Sequence, residues 1–244
     1  MNERIFGVDV NTESSNDTIG RIFSRLETNE KSFIVAINPE KLMNSRKDPE
    51  LRTILNAATV GIPDGIGVIL ASRMRGGAIK ARITGVDMME NLCKESGMRN
   101  IPVFLYGAKP GVAKQAAEKL QAQYPKLEVA GTLDGYEKDE EKILQTINDS
   151  GAKVLFVALG SPTQENFIMR NMDKLNVSVF QGVGGSFDVF SGNVQRAPAF
   201  FRKFGLEWLY RLLKEPSRWK RQLLLPKFLI AVLTERRKSG VTKI

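Results

Sequence analysis

Residues 154–186 read VLFVALGSPTQENFIMRNMDKLNVSVFQGVGGS. The segment opens with an uninterrupted apolar run at residues 154–159, which is typical of a strand buried on both faces. A helical pattern follows at residues 163–175, and a second apolar run at residues 177–181 ends in a glycine-rich string at residues 182–186. A strand, a helix and a strand in this order predict two parallel strands joined by a crossover helix.

The same alternation continues on the N-terminal side of this unit. Further β-rich runs are predicted to form strands at residues 33–37, 60–62, 103–106 and 127–130. Helices are predicted at residues 110–123 and 139–150, and another begins after Thr84, a favourable N-cap residue, and runs through Leu92. We therefore predict an α/β fold with a mostly parallel, Rossmann-like sheet and helices on both faces.

Composition narrows the chemistry that this fold can perform. The chain has 244 residues, of which 42% are apolar, enough for one large domain or for a domain with an appendage. It contains no histidine and one cysteine, Cys93, so imidazole catalysis, intramolecular disulfide bonds and zinc knuckles are excluded. Cys93 is predicted to be a small core residue. A carboxylate is therefore the expected proton acceptor if the protein is an enzyme.

The N-terminal residues 1–11 hold no apolar stretch of signal-peptide length, and a single cysteine fits a reducing compartment, so we expect a cytoplasmic protein. The most apolar window, residues 223–233, is too short to span a bilayer and is interrupted by Pro226. Pro216 and Pro226 are both predicted to interrupt helices.

Positive charge is concentrated at the C-terminal end. The formal net charge is +9, but residues 196–244 carry 13 Lys and Arg against three Asp and Glu, which leaves residues 1–195 nearly neutral. We therefore predict an α/β catalytic domain over residues 1–195 and a basic, amphipathic helical appendage over residues 196–244. Aromatic and aliphatic residues recur at helical spacing within the appendage, as a membrane-surface anchor requires. Packing on the body and binding of nucleic acid are the alternatives.

Glycine, proline and small polar residues follow the predicted strands. Because ligands bind beyond the carboxyl ends of parallel strands, these strings predict a site for a phosphate-bearing ligand. Neither the Walker spacing nor the G-x-G-x-x-G spacing is met, and no D-x-D pair is present to hold a divalent metal beneath a diphosphate. Arginine or lysine must then supply positive charge to a leaving group.

Taken together, these strings resemble the WecG/TagA/CpsF proteins, glycosyltransferase family 26. The resemblance covers nearly the whole chain in order, and the matching strings are Asn38-Pro39-Glu40, Pro63-Asp64-Gly65-x-Gly67, Arg82-Ile83-Thr84-Gly85-x-Asp87, Leu105-Tyr106-Gly107, Gly135-Tyr136, Leu159-Gly160-x-Pro162-x-Gln164-Glu165, Gly182-Val183-Gly184 with Phe187-Asp188, Arg196-Ala197-Pro198, and Gly205-Leu206-Glu207-Trp208-Leu209-Tyr210-Arg211-Leu212 with Glu215-Pro216-x-Arg218-Trp219.

The resemblance implies a cytoplasmic, metal-independent, inverting glycosyltransferase that is peripheral to the inner face of the membrane. Such enzymes move a sugar from a UDP-sugar to a polyprenyl-diphosphate-linked acceptor. One branch joins N-acetylmannosamine from UDP-ManNAc to undecaprenyl-diphosphate-GlcNAc in the linkage unit of wall teichoic acid, and we expect that reaction here. A related transferase that uses UDP-glucose or a ManNAc-uronate donor is the alternative. Self-association is expected to hide the apolar stripe of the appendage away from the membrane.

Carried onto this sequence, the resemblance also implies site residues. Asp64 is the expected general base, with Arg82 and Gln164 as further catalytic residues. The expected binding residues for substrates are Asn38 at the sugar and acceptor, Tyr136 against the uracil, Gly184, Gly185 and Asp188 near the nucleotide and its phosphates, and Arg211, Arg218 and Arg221 over the diphosphate. The chain departs from the pattern at Ala36, where the mannosaminyl-transferring members usually have threonine.

Overall fold

The computed structural model describes residues 1–198, 200–201, 205–214 and 224–238, without the side chains of residues 211 and 236–238. The strands are β1 (Asn2–Ile5), β2 (Val8–Asn11), β3 (Ser32–Ile37), β4 (Val60–Pro63), β5 (Val103–Gly107), β6 (Val129–Leu133), β7 (Val154–Ala158) and β8 (Val179–Gly182). The helices are α1 (Ser15–Glu27), α2 (Pro39–Ser45), α3 (Pro49–Ala57), α4 (Ile66–Arg75), α5 (Gly85–Arg99), α6 (Val112–Gln123), α7 (Glu140–Asp149), α8 (Thr163–Asn171), α9 (Ser186–Phe190), α10 (Glu207–Lys214) and α11 (Leu224–Lys238).

Six strands form one sheet in the order β4-β3-β8-β7-β5-β6, and every neighbouring pair is parallel. The predicted α/β fold with a parallel sheet is therefore confirmed. The register places Ile37 opposite Pro63 and Val157 opposite Gly182, so the carboxyl ends of β3, β4, β7 and β8 lie along one edge. The short antiparallel hairpin β1–β2 is separate from this sheet and was not predicted.

Apolar side chains cover both faces of the sheet, as the uninterrupted apolar runs predict. One face packs against α2, α3, α4, α7, α8 and α11, and the other packs against α1, α5, α6 and α9. Alternate residues of β3 divide between them, with Val35 in the first cluster and Ile34 in the second. Cys93 is fully buried in the second cluster, which confirms its prediction as a core residue.

Two helices that follow loops with predicted site residues begin at the expected caps. Asn38 Oδ1 accepts a hydrogen bond from Lys41 N (2.9 Å), and Pro39 occupies the first position of α2. Thr84 Oγ1 accepts a hydrogen bond from Asp87 N (3.0 Å) at the start of α5. These caps place Asn38 and Thr84 directly beyond the sheet edge, where the site was predicted.

Some element boundaries differ from the prediction. The sixth strand begins at Val129 rather than at Leu127, because Leu127 N donates to Tyr124 O (2.8 Å) and the Leu127 side chain fills the core. Helix α8 ends at Asn171 rather than at Leu175, and Lys31 Nζ binds the carbonyls of Met172 and Leu175 that follow it. In both places apolar residues serve core packing outside the regular element.

The helix α11 packs on the body. Phe228 and Val232 are fully buried between α2 and α4, and the Phe228 ring lies edge-on to Phe6 with ring centroids 5.6 Å apart. The predicted break at Pro226 is wrong, because this proline occupies the first turn of α11, where its missing N–H has no intrahelical partner to lose. One face of α11 therefore packs on the body, as one of the alternatives for the C-terminal segment predicts.

The structure tests only some of the remaining predictions on the C-terminal segment. Arg218, Arg221 and the break at Pro216 lie outside the described residues, as does the side chain of Arg211. Across the described ranges, the structure contains no helix that is both long enough and apolar enough to cross a bilayer.

Candidate active site

The loops that carry Asn38, Asp64 and Arg82 lie side by side at the carboxyl ends of β3 and β4. Asp64 N donates a hydrogen bond to Ile37 O (2.8 Å), and Ile83 N donates to Pro63 O (2.9 Å). The first bond continues the pairing of β4 with β3 by one residue. The second joins the Arg82 loop to the last residue of β4. The structure therefore brings the loop of Asp64, the expected general base, next to the loops of the expected site residues Asn38 and Arg82.

A glycine turn sets the position of Asp64. Gly65 has φ +86°, a conformation that L residues rarely adopt, and it precedes α4 directly. Two residues later, a Cβ atom on Gly67 would lie 2.6 Å from Pro39 Cγ. The start of α4 therefore packs closely on the start of α2, and this packing holds the partly exposed Asp64 next to the Asn38 loop.

Gln164 and the glycine turn after β8 form a second group. Gln164 is 2% exposed, and its Oε1 accepts a hydrogen bond from Gly184 N (2.9 Å). A Cβ atom on Gly182 would lie 2.7 Å from Gln164 Nε2, so only glycine leaves room for this amide. Gln164 thus contacts the turn rather than solvent, and it shapes the loop that carries Gly184 and Gly185.

Two charged residues with no predicted role connect these groups. Lys41 Nζ and Glu165 Oε1 are 2.7 Å apart, and both side chains are buried. The same Glu165 oxygen accepts a hydrogen bond from Gln164 Nε2 (3.0 Å). Glu165 belongs to the string that matched the family, which is the signal that could have identified it. Lys41 carries no such signal, because it follows Asn38 by three residues in an ordinary helical turn.

The C-terminal segment contacts the first group through Arg82. Arg82 Nη2 lies 3.5 Å from Glu207 Oε2 at the start of α10, and both side chains are largely buried. Just before α10, Gly205 has φ +71° and lies against Ile66, where a Cβ atom would approach Ile66 Cδ1 to 3.1 Å. Helix α10, which also contains Arg211, is therefore placed beside the Arg82 loop.

A second ion pair fastens the beginning of the C-terminal segment to α5. The Arg196 guanidinium binds the Asp87 carboxylate and lies 3.7 Å from Glu90 Oε2. Burial raises the pKa of Asp87, but hydrogen bonds from Thr84 Oγ1 and from Arg196 outweigh burial and hold this pKa below its ordinary value. Arg196 lies in a matching string, yet sequence reasoning assigned no role to it.

Tyr136 and Asp188 lie in separate places along the edge. Tyr136 is 64% exposed in the loop after β6, and that loop is tied to the end of β5 by a hydrogen bond from Gly135 N to Ala108 O (2.9 Å). Asp188 lies in the short helix α9, where its Oδ2 is 3.9 Å from the Cβ position of Gly185. The structure thus places Asp188 beside the Gly184–Gly185 turn and leaves Tyr136 apart from Asp64.

Within the part of the chain that the structure describes, no group of three or more Cys, Asp and Glu side chains is arranged to hold a metal ion.

Comparison with known proteins identifies the class. Residues 3–241 match the Glycosyl transferase WecG/TagA/CpsF family. The N-acetylglucosaminyldiphosphoundecaprenol N-acetyl-beta-D-mannosaminyltransferase of Bacillus spizizenii W23 is 42% identical over 215 residues, which cover 88% of this chain and 84% of that protein. The protein of the same name from Bacillus subtilis 168 is 40% identical over 204 residues, which cover 84% and 80%.

The parallel α/β sheet, its edge loops and these matches define an enzyme of the glycosyltransferase class. The chain belongs to the WecG/TagA/CpsF family, because the match covers almost its full length. The family resemblance drawn from the sequence strings is thereby confirmed.

Proposed function

We propose that this chain transfers N-acetylmannosamine from UDP-ManNAc to undecaprenyl-diphosphate-GlcNAc, the step that builds the linkage unit of wall teichoic acid. The 42% identity to the Bacillus spizizenii mannosaminyltransferase over 88% of the chain carries this proposal. The name of that relative states both the transferred sugar and the lipid-linked acceptor.

Asp64 is the proposed general base. It takes the proton from the acceptor hydroxyl while that oxygen bonds to the anomeric carbon of the donor on the face opposite UDP. The bond from the anomeric carbon to the diphosphate oxygen breaks, and UDP leaves with the electron pair, so the anomeric configuration inverts. The position of Asp64 supports this role, since the residue is partly exposed at the sheet edge between the Asn38 and Arg82 loops.

Asn38 and Arg82 are proposed to line the sugar and acceptor pocket, and the loops after β6 and β8 to hold the nucleotide. Gly184 N is already bound to Gln164 Oε1, so Gly184 contributes shape to the phosphate region rather than a free donor. Gly185, Asp188 and Tyr136 complete the proposed nucleotide region.

The C-terminal segment is proposed to bring Arg211, Arg218 and Arg221 over the diphosphate when it lies on the inner face of the membrane. Arginine binds phosphate bidentately, so these residues can stabilise the leaving group without a metal ion. The docking of α10 beside Arg82 supports this placement. Phe200 and Leu213 are 63% and 67% exposed, which supports contact between this segment and lipid.

A donor screen tests the proposal. UDP release is measured with UDP-ManNAc, UDP-GlcNAc, UDP-glucose and UDP-ManNAc-uronate, each with and without a lipid-diphosphate-GlcNAc analogue on anionic vesicles. Acceptor-dependent release with UDP-ManNAc, unchanged by EDTA, is expected. Release with another donor alone would reassign the sugar, and the departure at Ala36 would be the first position to examine. The Asp64→Asn variant is the matched control for contaminating activity.

A further inference from the structure

We propose that the buried Lys41–Glu165 ion pair is a positioning element that orients the Gln164 side chain and, through it, the glycine turn after β8. The catalytic consequence rests on the proposed function, while the structural part stands on the contacts alone. Neither charged residue is placed in direct contact with a substrate.

A continuous series of contacts joins the two groups of the site. Asn38 Oδ1 accepts from Lys41 N (2.9 Å), and Lys41 Nζ lies 2.7 Å from Glu165 Oε1. That oxygen accepts from Gln164 Nε2 (3.0 Å), and Gln164 Oε1 accepts from Gly184 N (2.9 Å). The helix behind Asn38 is therefore linked to the Gly184 turn, although β3 and β7, the strands that precede α2 and α8, are not neighbours in the sheet.

The Glu165 carboxylate holds the NH₂ end of the Gln164 amide, and the Gly184 amide holds its carbonyl end. A carboxylate only accepts hydrogen bonds, so the Gln164 NH₂ group must point toward Glu165 and the carbonyl oxygen must point toward Gly184 N. The absence of a side chain at Gly182 gives the amide its space. Gly184 N only donates and requires the same orientation, but without the carboxylate the Gln164 NH₂ group loses its acceptor in this contact series and the amide is held at its carbonyl end alone.

Stability alone does not account for the pair. Both charges are removed from water, which is costly, and among the described residues Glu165 Oε2 is a buried side-chain oxygen with no hydrogen-bond partner. Replacing a buried ion pair by two well-packed apolar side chains of similar volume is often neutral or stabilising. A charged pair at this position is better explained by the orientation that it imposes.

The experiment uses the full-length Lys41→Met and Glu165→Met single variants and the double variant. Each single variant leaves one buried charge unpaired, so its melting temperature is expected to fall, whereas the double variant is expected to recover most of this loss. The matched control is Arg99→Met, which removes ion pairs with Glu27 and Glu95 (2.7 Å each) and a contact with the Phe23 ring near the C-terminal ends of α1 and α5, away from the candidate site.

Two readouts separate positioning from a purely structural role. Hydrogen exchange of the Gly184 amide is expected to accelerate about tenfold in the double variant, because its acceptor is released. The kcat for transfer is expected to fall about 100-fold while the fraction of enzyme that binds UDP is unchanged, as for a misplacement of about 1 Å at a reacting site. The control variant is expected to match the wild type in both.

The outcomes are distinct. Recovery of both melting temperature and kcat in the double variant would overturn the proposal, and so would a loss of kcat without faster exchange at Gly184. If the wild type transferred no sugar from any donor, the proposed function would fail, whereas the exchange measurement would still decide whether the ion pair orients the turn.

Discussion

Arg82 and Glu207 form an ion pair (3.5 Å) between the loop that precedes α5 and the first turn of α10. The two residues are 125 positions apart in the sequence, and both side chains are largely buried. The C-terminal segment is thus attached to the loop that carries a proposed substrate-binding arginine.

Glu207→Gln is expected to lower transfer about tenfold, which corresponds to about 1.4 kcal/mol of transition-state stabilisation. The substitution removes the charge that holds Arg82, but it leaves the nucleotide region intact. Initial rates on vesicles and UDP affinity are the measurements. Glu235→Gln, which removes an ion pair with Arg75 (2.8 Å) on α4, is the control. Equal rates for Glu207→Gln and the wild type would show that this contact does not influence Arg82.

Asp64→Asn is expected to reduce transfer by about 10²- to 10⁴-fold, because the asparagine amide cannot take the proton from the hydroxyl of the acceptor substrate. UDP binding, followed by calorimetry, is expected to persist, since Asp64 lies beyond β4 and the proposed nucleotide residues lie beyond β6 and β8. Turnover close to the wild-type value would remove Asp64 from the role of base.

Gly182→Ala is expected to destabilise the protein by about 1–3 kcal/mol, because its Cβ atom would overlap Gln164 Nε2 in a fully packed region. Denaturant unfolding measures this change, and kcat should fall with it as the Gly184 turn moves. Gly20→Ala is the matched control, since a Cβ atom at that position in α1 meets nothing within 4 Å. The control is expected to be neutral or slightly stabilising.

The ionised Asp87 carboxylate is expected to stabilise the folded protein at neutral pH and to lose this contribution at strongly acidic pH. Because the folded-state pKa of Asp87 is lowered, its ionised form contributes stability above the unfolded pKa, and this contribution is lost as pH falls through the folded pKa. Asp87→Asn should therefore lower the melting temperature at pH 7, and the difference from the wild type should shrink on acidification below about pH 4. A constant difference across this range would contradict the linkage.

Phe228→Ala is expected to destabilise the protein by about 3–5 kcal/mol, because Phe228 is fully buried between α2 and α4. Ile230→Ala on the same helix is the control, since Ile230 is 61% exposed and its loss leaves no cavity. Comparable effects of the two substitutions would mean that α11 is not docked in solution. Because Phe228 and Val232 belong to the hydrophobic core, a truncation before residue 196 would remove part of the core together with the basic segment.

Much of the fold was predictable because its signals are local. Apolar runs of strand length, helix caps such as Asn38 and Thr84, and glycines at strand ends each act within a few residues, and together they predict a parallel α/β sheet with its site at one edge. The predicted element boundaries were wrong where apolar residues pack in the core outside a regular element, as Leu127 does. The predicted break at Pro226 was wrong, because a proline that breaks a helix interior is tolerated in the first turn of a helix such as α11.

The sequence by itself determined the architecture, the family and the loops from which the site is built, because periodicity and short motifs are properties of neighbouring residues. Only the tertiary structure decided that Lys41 meets Glu165 and that Arg82 meets Glu207, over separations of 124 and 125 residues. The local sequence around a charged residue does not identify its partner. Pairs such as these form only when packing brings distant segments together and removes water from between them.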